Sequence, residues 1–241
     1  MTAVAIVVVV FAAAVIQCLS GFGFALIIMP LITLLLGLRT AAPLVALTAL
    51  CVYVINLIRY RQGLDRSRVL RLAVSSALGV PVGIWMLSNL NEALIKALLG
   101  LVLIAYALYA LLRPTTQRRP SRHWIYVSGF LAGCLGGAYN TPGPPAIVYG
   151  SLRQWPRDEF RAILQALFLV NGSLVVTSHL LTGHVNADIL TYLAFTLPAL
   201  GLGILVGSRL DAHINQERFR TIVSLMILVL GLSLLVGSWW R

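Results

Sequence analysis

The chain has 241 residues, of which 59% are hydrophobic and 10% are charged, whereas an ordinary soluble domain carries about 25% charged residues. This composition excludes a soluble globular enzyme, because no water-facing surface could cover so much apolar area. The net charge of +11 does not indicate a nucleic-acid-binding protein, since the basic residues lie in short segments between long apolar runs. We therefore predict an all-α integral membrane protein, with the lipid bilayer as its solvent and no nucleic acid as partner.

Eight apolar runs follow one another along the chain, and six of them have the length of one spanning helix, which needs about 20 residues. The first run, 3–38, would reach about 54 Å as a single helix and must break. We predict the break at Ser20-Gly21-Phe22-Gly23, and a second break in the fifth run between Gly136 and Pro145. Backbone groups freed by glycine and proline are tolerated at membrane depth only where they are buried in protein or line a cavity.

The two halves of the chain resemble each other in order and spacing. Cys18-Leu19-Ser20-Gly21 aligns with Cys134-Leu135-Gly136-Gly137 at an offset of 116, and later matches follow at offsets up to 124. This pattern predicts a first transmembrane repeat, 1–112, a cytoplasmic linker, 113–123, and a second transmembrane repeat, 124–241. Each repeat would contain one broken-helix hairpin and three transmembrane helices.

Basic residues indicate which loops face the cytoplasm, where positively charged loops are retained. All of the 18 Lys and Arg residues except Arg39, Lys96 and Arg241 lie in the segments 58–71, 113–123, 151–161 and 209–220. With these segments inside, the fifth run must enter and leave on the same side. The second repeat is then inverted relative to the first, as in many secondary transporters, and both termini are predicted to be periplasmic.

The two breaks are the predicted substrate site. A half-helix N-terminus inside the membrane presents unpaired N–H groups and partial positive charge, which attract anions. Polar residues beside the breaks, together with amides in the helices that follow them, could donate hydrogen bonds to a small anion. The candidate substrate-binding residues are Gln17, Ser20, Gly21, Gly23, Asn56, Gly136, Gly137, Tyr139, Asn140, Thr141, Gln165 and Asn171.

Alternative interpretations of these residues remain open. The glycines could serve only close helix packing, and Asn56, Gln165 and Asn171 could bond the broken backbone ends instead of lining a path. His179 and His184 could titrate near neutral pH or simply lie at a membrane interface. No metal site or cofactor is predicted, because the cysteines follow no ligand spacing and the acidic residues lie in or beside loops.

The ordered set of motifs is similar to the sulfite exporter TauE/SafE family. The resemblance rests on Ser20-Gly21-Phe22-Gly23, the Gly-rich segment 133–145, Gly79-x-Pro81-x-Gly83 and Pro198-x-x-Gly201-x-Gly203, within a two-repeat plan over nearly the whole chain. It implies export of sulfite, sulfoacetate or a related sulfur-containing organic anion through a bacterial inner membrane. A secondary transporter without enzymatic activity, binding its anion at the midplane between the two hairpins, is the resulting expectation.

Two other classes of protein compete with this prediction. Ser20-Gly21 in an apolar helix could belong to an intramembrane serine protease with His179 as its base, although Cys18 stands where glycine is expected. A non-transporting accessory subunit is the other alternative, although two costly helix interruptions have no purpose in a passive scaffold. Small residues on many helix faces would also allow a homodimer.

Overall fold

The computed structural model describes residues 2–112, 120–211 and 216–239. Within these ranges the chain is all-helical, with ten α-helices, one short 3-10 turn at Arg61–Gly63 and no strand. The helices are α1 Thr2–Ser20, α2 Phe24–Leu36, α3 Leu38–Tyr60, α4 Arg66–Asn89, α5 Glu92–Leu112, α6 Trp124–Tyr139, α7 Gly143–Leu152, α8 Arg157–Leu181, α9 Ala187–Leu210 and α10 Gln216–Trp239. Most of the predicted linker, 113–119, lies outside the described residues.

Both predicted helix breaks are present. The first lies between α1 and α2, where Gly21 and Gly23 have positive φ angles of 79° and 105° that favour glycine. The second lies between α6 and α7, where Asn140 caps α6 with a φ of 55°. Pro144 and Pro145 then occupy the first turn of α7, a place where their missing N–H groups leave no helical hydrogen bond unmade.

The described helices have the length and hydrophobicity of membrane-spanning segments. Five of them are long and apolar enough to cross one, within Leu38–Gly63, Arg66–Asn89, Ala93–Leu112, Asp158–Leu181 and Ala187–Leu210. The distribution of side chains agrees, because Leu78 of α4 is 68% exposed while Gln165 of α8 is completely buried. Apolar residues therefore face outward and amides face inward, the arrangement of a multi-pass membrane protein.

The most extensive helix packing is that of α4 against α6, and α1 also packs extensively against α9. Glycines allow both close approaches: a Cβ at Gly79 would lie 2.8 Å from the Cys134 amide nitrogen, and one at Gly203 would lie 2.7 Å from the Phe11 carbonyl oxygen. Helix α3 packs on α8, and α5 packs on α10. Small residues that bring backbones together in this way are a common device of helix packing in lipid.

Helices α6 and α7 form a hairpin. The Arg153 guanidinium, just after α7, donates a hydrogen bond to the Pro120 carbonyl, just before α6, at 3.2 Å. The chain therefore enters and leaves this pair at the same end of the bundle. With 10 residues, α7 reaches only about 15 Å, half of a hydrocarbon core of about 30 Å.

Side-chain contacts join the basic segments at that same end of the bundle. Arg68 forms an ion pair with Glu159, and Asp211 lies 3.8 Å from Arg59 and 3.1 Å from Arg161. Arg161 itself requires a correction: the sequence counts it among the basic loop residues, but it lies inside α8 and is only 5% exposed. Its burial is possible because hydrogen bonds and a carboxylate accompany it, as described below.

Candidate functional site at the two helix breaks

Two buried amides bond the broken ends at the first break. The Gln17 side-chain oxygen accepts from the Phe24 amide, the first N–H of α2, at 2.9 Å. The Gln17 amide nitrogen donates to the Gln165 side-chain oxygen at 3.2 Å, and the Gln165 nitrogen donates to the Gly21 carbonyl at 2.6 Å. Gln17 and Gln165 therefore satisfy backbone groups that the break leaves without helical partners.

Arg161 completes this first cluster, and sequence reasoning missed it. Its guanidinium donates to the Leu19 carbonyl at 2.8 Å and to both carboxylate oxygens of Asp211 at 3.1 and 3.2 Å. It also stacks over the Tyr60 ring at 5.3 Å. A Cβ at Gly21 would lie 2.7 Å from the Arg161 Cγ, so this glycine is required by space as well as by its φ. The available signal was the spacing of Arg161 and Gln165, which are one helical turn apart on α8.

The other candidates near the first break differ in their hydrogen bonding. The Ser20 hydroxyl donates to the Ile16 carbonyl at 2.8 Å within its own helix, and its oxygen accepts from the Phe22 N–H of the break at 3.2 Å. Asn56 is completely buried, and its side-chain oxygen lies 4.0 Å from the Cys18 sulfur. Within the described part of the chain, the Asn56 amide nitrogen has no hydrogen-bond partner. Among the described residues, Asn56 thus brings an unused side-chain donor to this cluster.

The second break is built by residues of α3, α4, α6 and α8. The Asn140 amide nitrogen donates to the Ala42 carbonyl of α3 at 2.7 Å. The Asn171 amide nitrogen donates to the Ser76 hydroxyl at 2.8 Å, and its side chain fills the space beside Gly136. Gly137 packs on the backbone of α4, where a Cβ would lie 3.0 Å from the Ile84 amide nitrogen.

Two hydroxyl groups at the second break are unused. Tyr139 is 2% exposed and Thr141 is 1% exposed. Neither hydroxyl has a hydrogen-bond partner among the residues that the structure describes. Buried polar groups normally have partners, so an unsatisfied pair at one break indicates a place where something else supplies the acceptor.

The structure separates the predicted residues into two clusters instead of joining them. Asn140 of the second break contacts Ala42, whereas Cys18 beside the first break contacts Asn56. Ala42 and Asn56 are about 14 residues apart on α3, which corresponds to about 21 Å along a helix. A small anion therefore cannot touch both Asn56 and Asn140 at once.

Backbone N–H groups contribute less to these clusters than the sequence suggests. At the first break, the Phe24 N–H is already bonded to Gln17. At the second break, Pro144 and Pro145 have no N–H to offer in the first turn of α7. Fewer backbone N–H groups are therefore available at the two breaks than the sequence suggests, and side-chain donors become more important.

A protease dyad does not form. The Ser20 hydroxyl lies next to the Arg161 end of α8, where the adjacent Leu19 carbonyl is bonded. His179 is about 18 residues further along the same helix, about 27 Å away along its axis, and its Nδ1 contacts His184. The nucleophile and base of such an enzyme must be within hydrogen-bond reach.

An electropositive cavity of about 230 Å³ opens beside the α6–α7 hairpin at the basic end of the bundle. Four arginines line it, with Asp65 as the carboxylate among its lining residues. The arginines are Arg68, Arg71, Arg122 and Arg153. Such a concentration of positive charge raises the local concentration of anions.

Comparison with known proteins gives a consistent result. The family model described as "Sulfite exporter TauE/SafE" matches residues 6–234. The chain is 27% identical over 229 residues to the "Probable sulfite/organosulfonate exporter TauE" of Cupriavidus necator, covering 92% of this chain and 89% of that protein. It is 26% identical over 165 residues to the "Probable inner membrane transporter protein TsaS" of Comamonas testosteroni, covering 68% and 69% of the two chains. No solved structure matches the chain. With nearly its whole length matched, the chain belongs to the sulfite exporter TauE/SafE family of membrane transporters.

Proposed function

We propose that the protein is a secondary transporter that exports sulfite, or a sulfur-containing organic anion such as sulfoacetate, across a bacterial inner membrane. The observation that carries this proposal is the pair of unused, buried hydroxyls of Tyr139 and Thr141 at a helix break in a chain of this family. Hydroxyl donors suit the oxygen atoms of a sulfite or sulfonate group. The relatives' names point to the same class of substrate.

The substrate path in this proposal begins at the electropositive cavity and passes between the two hairpins near the midplane. The second break binds the anion through Tyr139, Thr141 and the Asn140 amide. The first break, bonded internally by Gln17 and Gln165, is the closed gate of this conformation. Asn56 and Asn171, one in each cluster, line the passage between them.

An inverted repeat would give both gates the same origin. The pairing of α4 with α6 mirrors that of α1 with α9, while α3 with α8 and α5 with α10 pair equivalent helices. Gly21 and Asn140 both end their helices with positive φ, and their backbone N–H groups donate to the carbonyls of Gln17 and Gly136, respectively, at 2.8 Å. These caps align at an offset of 119, three more than the Cys18 and Cys134 alignment gives. Both observations support the inverted arrangement, with 1–112 and 124–241 as its halves.

Export would need no coupled cation. A monovalent anion that leaves a negative-inside cell gains about 2.3 kcal/mol for each 100 mV of membrane potential. The carboxylate nearest the first break, Asp211, is held by Arg161 in a bidentate pair and is not free to coordinate sodium. The membrane potential is therefore sufficient to drive the transport we propose.

Tracer flux in proteoliposomes at a clamped potential tests the proposal. Sulfite, sulfoacetate, taurine and lactate should be compared, because taurine carries a compensating amino group and lactate a carboxylate. We expect saturable, potential-dependent flux of sulfite or sulfoacetate, and a roughly tenfold loss in Thr141→Val from one lost hydrogen bond to a charged group. If none of the four solutes moves faster than through protein-free vesicles, the substrate assignment is wrong.

Thr33→Val is the matched control, since Thr33 is a second buried threonine whose hydroxyl lacks a partner among the described residues, but it lies inside α2. Its flux should stay within about twofold of the wild type. An equal loss in both variants would show that the Thr141 hydroxyl has no special role.

A further inference from the structure

A cavity of about 350 Å³ lies at the end of the bundle opposite the basic segments. It is formed where α3 begins, α4 ends and α8 ends, with Arg39, Ser88, His179 and His184 among its lining residues. His179 is 4% exposed, and its Nε2 atom has no hydrogen-bond partner among the residues the structure describes. This cavity belongs to neither break cluster.

The hydrogen bonds around the two histidines favour one tautomer of His179. The Thr182 hydroxyl donates to the Ser178 carbonyl at 2.8 Å, so its oxygen accepts from the His184 Nδ1 atom at 3.1 Å. The one hydrogen on His184 Nδ1 is then shared between the Thr182 oxygen and His179 Nδ1, which lies 3.3 Å away. A neutral histidine that accepts at Nδ1 carries its hydrogen at Nε2. In this tautomer the unpartnered Nε2 atom of His179 is a buried N–H donor.

The other polar groups around this donor make the cavity electropositive and favour a negatively charged acceptor. Arg39 lines the same cavity at an exposed position and, within the described ranges, forms no ion pair with a carboxylate. No Asp or Glu is among the cavity's described lining residues. A guanidinium offers up to five N–H donors and no acceptor, so a ligand here must bring its own acceptor atoms. A small oxyanion has both the charge and the oxygens.

We propose that this cavity is a second oxyanion site, in which Arg39 and the His179 Nε2–H hold a sulfate-, sulfite- or sulfonate-sized anion. Ala42 lines the cavity, and its carbonyl accepts the hydrogen bond from Asn140 of the second break. The site therefore adjoins the second break and is placed to receive an anion that leaves it. This role as a release site rests on the proposed function, whereas anion binding itself does not.

Nitrogen NMR of protein labelled with ¹⁵N-histidine, purified in nanodiscs, tests the binding directly. The chain contains four histidines, which keeps the spectrum simple, and His123 is exposed near the opposite end of the bundle. Titration with sodium sulfate and with sodium methanesulfonate, at ionic strength held constant with chloride, should shift the His179 Nε2 resonance saturably and leave His123 unchanged. We expect Arg39→Gln to weaken the apparent Kd by about tenfold or more, because it removes a charge-assisted contact.

Lys96→Gln is the control for charge, since Lys96 is a cation near the same end of the bundle that does not line the cavity. Its Kd should stay within about twofold of the wild type. A shift that does not saturate, or one that is equal in wild type and Arg39→Gln, would mean that only water occupies the cavity, and the proposal would be wrong. Anion binding without flux would contradict the proposed function instead, and flux without binding at His179 would contradict this second site.

Discussion

The two helix breaks solve the same structural problem in different ways. At the first, side chains from two helices and a buried guanidinium bond the freed backbone, and Gly21 is packed against Arg161. At the second, Asn140 makes one bond to α3, and the neighbouring hydroxyls of Tyr139 and Thr141 are unused. A break that bonds itself is suited to hold the bundle closed, whereas a break with spare donors is suited to bind a ligand.

Removing Arg161 should have the largest effect on stability. Arg161→Gln leaves the Asp211 carboxylate without its bidentate partner and the Leu19 carbonyl without a donor. Breaking a buried ion pair from one side costs about 3–5 kcal/mol. We therefore expect a large drop in the free energy of unfolding, measured by denaturant titration in detergent micelles.

Arg59→Gln is the control, because Arg59 lies 3.8 Å from the same carboxylate but its side chain is 34% exposed. Pairs this open contribute about 1 kcal/mol or less. If Arg59→Gln costs as much as Arg161→Gln, burial of the Arg161 pair is not what stabilises the first break.

A smaller effect is expected when the amide pair of the first break is cut. Gln165→Leu leaves the Gly21 carbonyl and the Gln17 amide nitrogen without partners, which should cost about 2 kcal/mol. A double-mutant cycle with Gln17→Leu should show a coupling energy of about 1 kcal/mol, in the upper range for hydrogen bonds between membrane helices. Additive effects in the cycle would contradict a direct bond between the two amides.

Ser20→Ala removes a single hydroxyl at the same break, one that contacts the Ile16 carbonyl in α1 and the backbone of Phe22 in the break. Its cost should be about 1 kcal/mol, less than that of Gln165→Leu, and its transport should equal that of the wild type. Retained transport would also remove the protease alternative.

The positions of the breaks could be predicted from the sequence because they depend on local chemistry. Glycines that allow positive φ, and prolines that begin a helix, act within a few residues of the chain. The long spans were predictable for a similar reason, since hydrophobic length is a property of one segment. Both breaks lie between observed helices, and five of the six predicted single spans are long and apolar enough to cross a membrane within the described residues.

The burial of Arg161 and the separation of the clusters could not be predicted in this way. Rules on basic loops treat every arginine near a helix end alike, and Arg161 is distinguished only by the Asp211 carboxylate 50 residues away. Which residues meet at each break depends on how α3 and α8 lie against the hairpins, and this is decided by packing. The residues of a site can therefore be found from the sequence, but where they lie in the bundle and which of them meet is known only from the tertiary structure.

The smallest change in stability, and the sharpest test of the comparison, is expected for Tyr139→Phe. An unpaired buried hydroxyl stabilises nothing, so its removal should leave the free energy of unfolding unchanged or raise it by up to about 1 kcal/mol. Saturating sulfite or sulfoacetate should raise the melting temperature of the wild type but raise that of Tyr139→Phe less, because a ligand stabilises only in proportion to its affinity.

Ser128→Ala is the control. It removes another hydroxyl of α6 that has no partner among the described residues, about 11 residues before Tyr139, and it should keep the full ligand-induced shift. A destabilised Tyr139→Phe variant with normal ligand response would mean that its hydroxyl serves the fold, and the contrast between a self-bonded break and a ligand-binding break would no longer hold.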